Sequence, residues 1–178
     1  MELSQFLART VSPGGYFVIT HNPKPLGPDV PWVTRLFPEG DHGSAAGYVI
    51  WAVGQGHEVY HAQAAFKAAE LAADRQGRTK YKGSRKADNV HSLKSFWIDI
   101  DVKRQGDGKK DSACYPDRVA AIAWLRQFCD ATGIPLPNQI VNSGYGWHCY
   151  WILEDPILKH NWQPYADAFK AAMIAHGF

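Results

Sequence analysis

Trp97-Ile98-Asp99-Ile100-Asp101 is the stretch of this chain whose residue types and spacing can do chemistry. Side chains alternate along a strand, so Phe96, Ile98, Ile100 and Val102 share one face while Trp97, Asp99 and Asp101 share the other. The two carboxylates then stand about 6.6 Å apart along the strand. Carboxylates that close repel unless a cation lies between them or one is protonated. Their hard oxygens suit Mg²⁺ or Mn²⁺. Pairs of this kind hold the ions of two-metal phosphoryl transfer. A solvated strand end explains a bare Asp-x-Asp equally well, but so apolar a strand seldom carries two charges without a use.

The second stretch is Asn142-Ser143-Gly144-Tyr145-Gly146-Trp147-His148. Ser143, Gly144 and Gly146 predict a turn whose backbone N–H groups approach phosphate oxygens closely. His148 follows at the start of a strand, with Tyr150 on its face and Cys149, Trp151 and Leu153 facing the core. A histidine there can donate to a β- or γ-phosphate. A plain hairpin with a surface histidine is the simpler alternative.

Basic residues crowd two segments around the acidic pair: Lys80, Lys82, Arg85 and Lys86 before it, Lys103, Arg104, Lys109 and Lys110 after it. That bracketing favours a phosphate-bearing ligand over two solvated loops. Other candidates carry less. His57 and His61 lack a carboxylate cluster and are expected to be structural. His91 has no assigned role, and Asp107, Asp111 and Asp117 fit loops and a helix start better than a metal.

A chain of 178 residues suffices for one domain with a substantial core. The net charge of +2 does not by itself demand nucleic acid. Three cysteines without a Cys-x-x-Cys pair argue against a disulfide framework or a cysteine-rich zinc site, and favour an intracellular protein. The N-terminus lacks a signal-peptide pattern, and no segment reaches the ~20 apolar residues of a membrane span.

The elements that must position these groups follow from pattern. Glu2 to Arg9 predicts a short helix and Tyr16 to Thr20 a strand. Five prolines make His21 to Asp41 an irregular loop. Ala46 to Val53 and Glu58 to Tyr60 read as strands, and alanine-rich His61 to Arg75 as a helix. Gly77 to Asn89 is a basic connector. Leu93 to Val102 is a strand. Pro116 to Thr132 is a helix with Ala121, Ile122, Leu125, Phe128 and Cys129 on its apolar face, ended by Gly133 and Pro135. Gln139 to Asn142 and Trp147 to Leu153 are strands, and Asn161 to His176 is a final helix. The order of the second half, β-α-β-β-α, is one strand short of a split βαβ unit.

Phe96 to Asp101, followed by Pro135 to Trp151, resembles the archaeo-eukaryotic primase superfamily, and within it the primase-polymerases of phages and plasmids. The resemblance spans roughly Arg85 to Phe178 and rests on two motifs in order, an hDhD strand and an sGxGxH-type element. It implies an α+β chain: a small N-terminal α/β module over residues 1–89, packed on an RRM-like catalytic sheet over 90–178 that lacks its last strand. It implies Asp99 and Asp101 as metal ligands for Mg²⁺ or Mn²⁺, and Ser143 and His148 as triphosphate contacts, with Gly144 and Gly146 permitting the approach. Catalysis would rest on Asp99, Asp101 and His148. Nucleic-acid contact would fall to Lys82, Arg85, Lys86, Lys103 and Arg104. The implied partners are a single-stranded DNA template and (d)NTPs, with a helicase or another replication region further along a parent protein, in the cytoplasm of a bacterial or archaeal host.

One departure stands out. The family supplies a third carboxylate near a strand after the last helix. Glu154 and Asp155, in an expected turn beside Pro156, and mid-helix Asp167 are poor substitutes, so a truncated or natural short form, weakly active or inactive as a polymerase, is expected. Two other readings compete with metal-dependent template-directed nucleotidyl transfer: an inactive nucleotide- or single-strand-binding module of the same fold, and a metal-dependent nuclease. The nuclease leaves the Gly-x-Gly-x-His turn unexplained. A rolling-circle endonuclease is disfavoured for want of a paired-histidine motif and a tyrosine nucleophile helix.

Overall fold

The structure is a computed structural model. It describes residues 1–23, 31–67, 69–73, 79–82, 85–103, 114–144 and 146–178, with the backbone alone for 70–73 and 79–82. The chain is α+β and divides into two compact units, 1–94 with 154–162, and 95–153 with 163–178.

The first unit holds α1 (Leu3–Thr10), β1 (Tyr16–Asn22), β2 (Val33–Pro38), α2 (His42–Gly54), β3 (Glu58–His61), β4 (Ala64–Phe66), β5 (Glu70–Ala73), β6 (Thr79–Lys82) and the start of β7 (Val90–Asp101). Its strands are ordered β5-β6-β2-β1-β4-β7, and β3 also pairs with β1. Alternation along β1 serves two cores. Phe17 and Ile19 pack with Leu7, Val11, Phe37, Ala45 and Ala46. Val18 packs with Leu36, Ala64, Phe66 and Leu93, and Trp162 leans on that cluster.

Several expectations for this half need correction. Ala46 to Val53 is not a strand but part of α2. The apolar run fits either period. The helix wins because Ala45 and Ala52 lie on one buried stripe while Ile50, Trp51 and Val53 stay exposed. His61 to Arg75 is not a helix as far as it is described: β4 and β5 run through it. Ala64, Ala65 and Phe66 are all buried and pair with Leu93, Ser92 and Val90 of β7. Alanine's helix preference amounts to tenths of a kcal/mol per residue, roughly the scale of propensity differences. Leaving buried backbone groups unpaired costs about 1–3 kcal/mol each, so pairing prevails. β2 occupies part of the expected proline-rich loop, where Leu36 and Phe37 are buried, and β6 occupies part of the expected connector.

The second unit contains β7 from Ser95 onward, α3 (Arg118–Thr132), β8 (Gln139–Asn142), β9 (Gly146–Leu158) as far as Leu153, and α4 (Lys159–Ala175) from Gln163. Its strand order is β7-β9-β8, so α3 links two strands with β9 between them. Asp117 caps α3 by accepting from the Ala120 amide at 2.8 Å, and Gly133 ends it in the left-handed region at φ 72°. The expected apolar stripe is real. Ala121, Leu125, Phe128 and Cys129 are buried against Ile98, Ile100, Cys149, Trp151 and Met173, and Ile122 packs at the margin.

A break at 89/90 was expected; the observed division falls between Lys94 and Ser95, inside β7. Residues 154–162 belong with the first unit, where Lys159 Nζ donates to the Ala87 carbonyl at 2.7 Å. Glu154 and Asp155 lie within β9, not in a turn. No strand follows α4 among the described residues.

Candidate active site

Burial along β7 follows the predicted alternation. Ile98 and Ile100 are buried, Trp97 and Asp99 are exposed, and Asp101 is half-buried. The apolar side chains anchor the strand to α3 and α4, which leaves both aspartates on the opposite face. Past Asp101 the chain pairs with Tyr115, whose amide donates to the Asp101 carbonyl at 2.9 Å and whose carbonyl accepts from Lys103 N at 2.8 Å. That contact fixes the end of the strand just where the second carboxylate stands.

The start of β9 lies against the end of β7. A Cβ on Gly146 would overlap the Ile100 carbonyl oxygen, so this position tolerates no side chain. Close approach brings His148 Nε2 to 3.3 Å from Asp99 Oδ1. The imidazole is 39% and the carboxylate 60% exposed, so the pair faces solvent. Tyr150, next on the same face, is buried. Burial, with the Asp99 charge second and Cys149 after it, pushes the Tyr150 phenol up to about 12, so it stays a neutral donor at physiological pH. On the core face, burial pushes the Cys149 thiol to about 12, with Cys129 and Asp99 adding to the shift.

The turn departs from the phosphate cradle expected of it. Ser143 N donates to the Gly146 carbonyl at 3.2 Å, and Gly144 N to Asn142 Oδ1 at 2.9 Å. Both amides are therefore spent within the turn. Gly144 has a conformational reason of its own, φ 92°, in the region that favours glycine. Gly146 has a steric reason, the Ile100 backbone. Tyr145 lies outside the described residues.

Pattern reading missed Arg118. Its Nη2 donates to the Gly144 carbonyl at 2.8 Å and to Asn142 Oδ1 at 3.3 Å, and its guanidinium carbon lies 5.7 Å from the Trp147 ring centroid. The available signal was Asn142 two residues before a glycine, the mark of an Asx turn, which needs a partner for its carboxamide.

The described basic residues of that prediction are divided between the two units. Arg85 belongs to the first unit, where it donates to Thr20 Oγ1 at 3.0 Å. Lys86 is exposed at the start of the 3₁₀ turn Ala87–Asn89. Lys82 sits in β6 with its backbone opposite Glu70. Lys103 is exposed beside Asp101, and Arg104 lies outside the described residues. Of the proposed acids, Asp167 accepts from Gln163 Nε2 at 2.9 Å within α4. Glu154 and Asp155 group with the first unit. Among the described residues no three of His, Cys, Asp and Glu gather around one point.

Asp99, well exposed, and Asp101, half-buried, give this face of β7 a set of hard oxygen donors, the kind that would hold Mg²⁺ or Mn²⁺. The neighbouring imidazole supplies a proton donor or acceptor close to that set. No helix among the described residues is long and apolar enough to cross a membrane. Comparison with protein-family models, with curated proteins and with solved structures found no match.

Proposed function

We propose that this chain is the catalytic part of a primase-polymerase, carrying out metal-dependent, template-directed nucleotidyl transfer from (d)NTPs on single-stranded DNA. The observation that carries the reading is the 3.3 Å contact between His148 Nε2 and Asp99 Oδ1. It joins the two motifs that carry the resemblance, which lie far apart in sequence, at the edge where β9 begins and β7 ends. The strand order β7-β9-β8, with α3 as the crossover, supports the RRM-like form of the sheet.

On this reading Asp99 and Asp101 would hold Mg²⁺ or Mn²⁺, and the bound ion would supply electrostatic stabilisation of the transferring phosphoryl group and activation of the attacking hydroxyl. His148 donates from Nε2 to a phosphate oxygen, exchanging the Asp99 carboxylate for the ligand. Tyr150, neutral and buried beside Asp99, keeps water off one flank of the carboxylate. The reading puts the chain at work in the cytoplasm of a phage's or plasmid's host.

Primer extension on a single-stranded template with Mg²⁺ or Mn²⁺ tests the proposal. Weak incorporation by this chain, lost in Asp99→Ala and Asp101→Ala, is expected. A second reading, nucleotide binding without transfer, gains support from the pairing of His148 with Asp99 alone among the described acids. The same assay, run beside nucleotide titration, separates the two: binding with no incorporation at any metal concentration would favour the second.

A further inference from the structure

We infer that Arg118 is a phosphate-binding residue, the cation that receives the polyphosphate tail of the ligand at the Asn142–Gly146 turn. The inference rests on the nucleoside triphosphate reading above. It starts from a shortage of donors. The Ser143 and Gly144 amides are spent inside the turn at 3.2 and 2.9 Å. Gly146 is buried against the Ile100 backbone. Of the described turn residues, the exposed Ser143 hydroxyl and the Asn142 side-chain NH₂ remain, and neither carries a charge. A polyanion needs more than that.

Arg118 fills the gap. Its side chain is exposed, and among the described residues a single nitrogen, Nη2, makes both of its side-chain hydrogen bonds, to Gly144 O at 2.8 Å and Asn142 Oδ1 at 3.3 Å. A guanidinium has five N–H donors in a rigid plane. Nη1 and Nε therefore keep donors to offer an anion beside the turn. The Trp147 ring, 5.7 Å from Cζ, helps hold that plane. The start of α3 is not itself the anion site, because the Asp117 carboxylate already caps it through the Ala120 amide at 2.8 Å. Anchoring at two acceptors pre-orients the fork, so little side-chain freedom is lost when phosphate arrives.

The test is titration calorimetry of the full chain with tripolyphosphate in EDTA, repeated with Mg²⁺ and a nucleoside triphosphate. Parent protein is expected to bind tripolyphosphate without metal. Arg118→Gln keeps a donor for the Gly144 carbonyl but removes the charge, and should weaken that binding about tenfold to a hundredfold, the usual worth of a charge-assisted hydrogen bond. Arg118→Lys should recover part of the loss. Circular dichroism checks that each variant is folded. Unchanged affinity in Arg118→Gln overturns the inference and reduces Arg118 to a clamp on the turn. If the parent binds Mg²⁺-nucleotide but not tripolyphosphate in EDTA, the inference fails and the nucleotidyl-transfer reading stands. If Arg118→Gln loses tripolyphosphate while no Mg²⁺-nucleotide complex forms with the parent, the inference stands and that reading fails. No binding under either condition overturns both.

Discussion

Gly146→Ala asks whether the glycines of the turn serve the ligand or the fold. A methyl group there would overlap the Ile100 carbonyl oxygen, with the Ile100 carbonyl carbon at 3.0 Å and Asp101 Cα at 3.2 Å. All three atoms are backbone, so no rotamer change relieves the clash. β9 would have to move away from β7 by roughly 1 Å against a normal strand spacing of about 4.8 Å. Overpacking of this kind costs about 1–3 kcal/mol, and a weakened ladder hydrogen bond about 1 kcal/mol more. Lower entropy of the unfolded chain returns about 0.4–1 kcal/mol. The net loss is therefore about 1–3.5 kcal/mol. Gly144→Ala is the internal control. Its Cβ would meet nothing, and only the φ of 92° opposes it, at about 1–2 kcal/mol before the same entropic return. Urea unfolding followed by tryptophan emission, to which Trp97, Trp124, Trp147 and Trp151 contribute from this unit, measures both. The argument predicts the larger loss for Gly146→Ala, with weakened Mg²⁺-nucleotide binding because His148 moves off Asp99. A loss no greater than that of Gly144→Ala would refute it.

Three further outcomes are expected. Asp99→Ala and Asp101→Ala should each abolish nucleotide incorporation while leaving the unfolding midpoint nearly unchanged, since neither side chain is part of the core; retained incorporation in either would remove that residue from the mechanism. His148→Ala should weaken nucleotide binding more than template binding, and titrations of both ligands that show the reverse would give His148 another job. The first unit should lose stability in acid. His21 is buried, its ring stacks on His57 at 4.6 Å, and Nδ1 of each ring is buried without a hydrogen-bond partner among the described residues. Burial first, and the His57 charge second, hold the His21 pKa below its ordinary 6.5. Below 6.5 the unfolded chain then binds more protons than the folded one, so the stabilisation present above 6.5 is lost as pH falls through the folded value. Urea midpoints between pH 7.5 and 5 should drop, and the drop should shrink in His21→Phe. An equal drop in that variant would shift the effect elsewhere.

Much of the second unit was legible in the sequence because local and tertiary demands agree there. Asp117 caps a helix whose apolar stripe is the one that meets Ile98 and Ile100. β8 and the start of β9 sit where the short β-branched and aromatic runs put them. The first unit was less legible because tertiary pairing overrides local preference. Alanines 64 and 65 are strong helix formers, yet they are small enough to be buried on both faces of a strand between β1 and β7. The run from Ala46 to Val53 has no period that a sequence can resolve, and its conformation is decided by which side chains find the Leu7 and Phe17 core. Alternation on β7 exposed the acidic pair in advance. It could not show that His148 reaches Asp99, which depends on register between strands whose pairing partners lie far apart in the chain.

The turn shows how one set of residues can be accounted for by two different physical causes. Glycines in Ser143-Gly144-Tyr145-Gly146 suggest amides turned toward phosphate, because glycine permits close approach. In the structure Gly146 permits the close approach of β7, and Gly144 permits a left-handed residue whose amide Asn142 then takes. The same residues thus hold β9 near β7 and set His148 beside Asp99. Their contribution to a ligand would be indirect, through the position of the imidazole, while the direct positive charge would come from a helix residue outside the motif. A motif read one strand at a time assigns every role to its own residues. Arg118 is tied to this one by the hydrogen bond from the start of α3 to the Gly144 carbonyl.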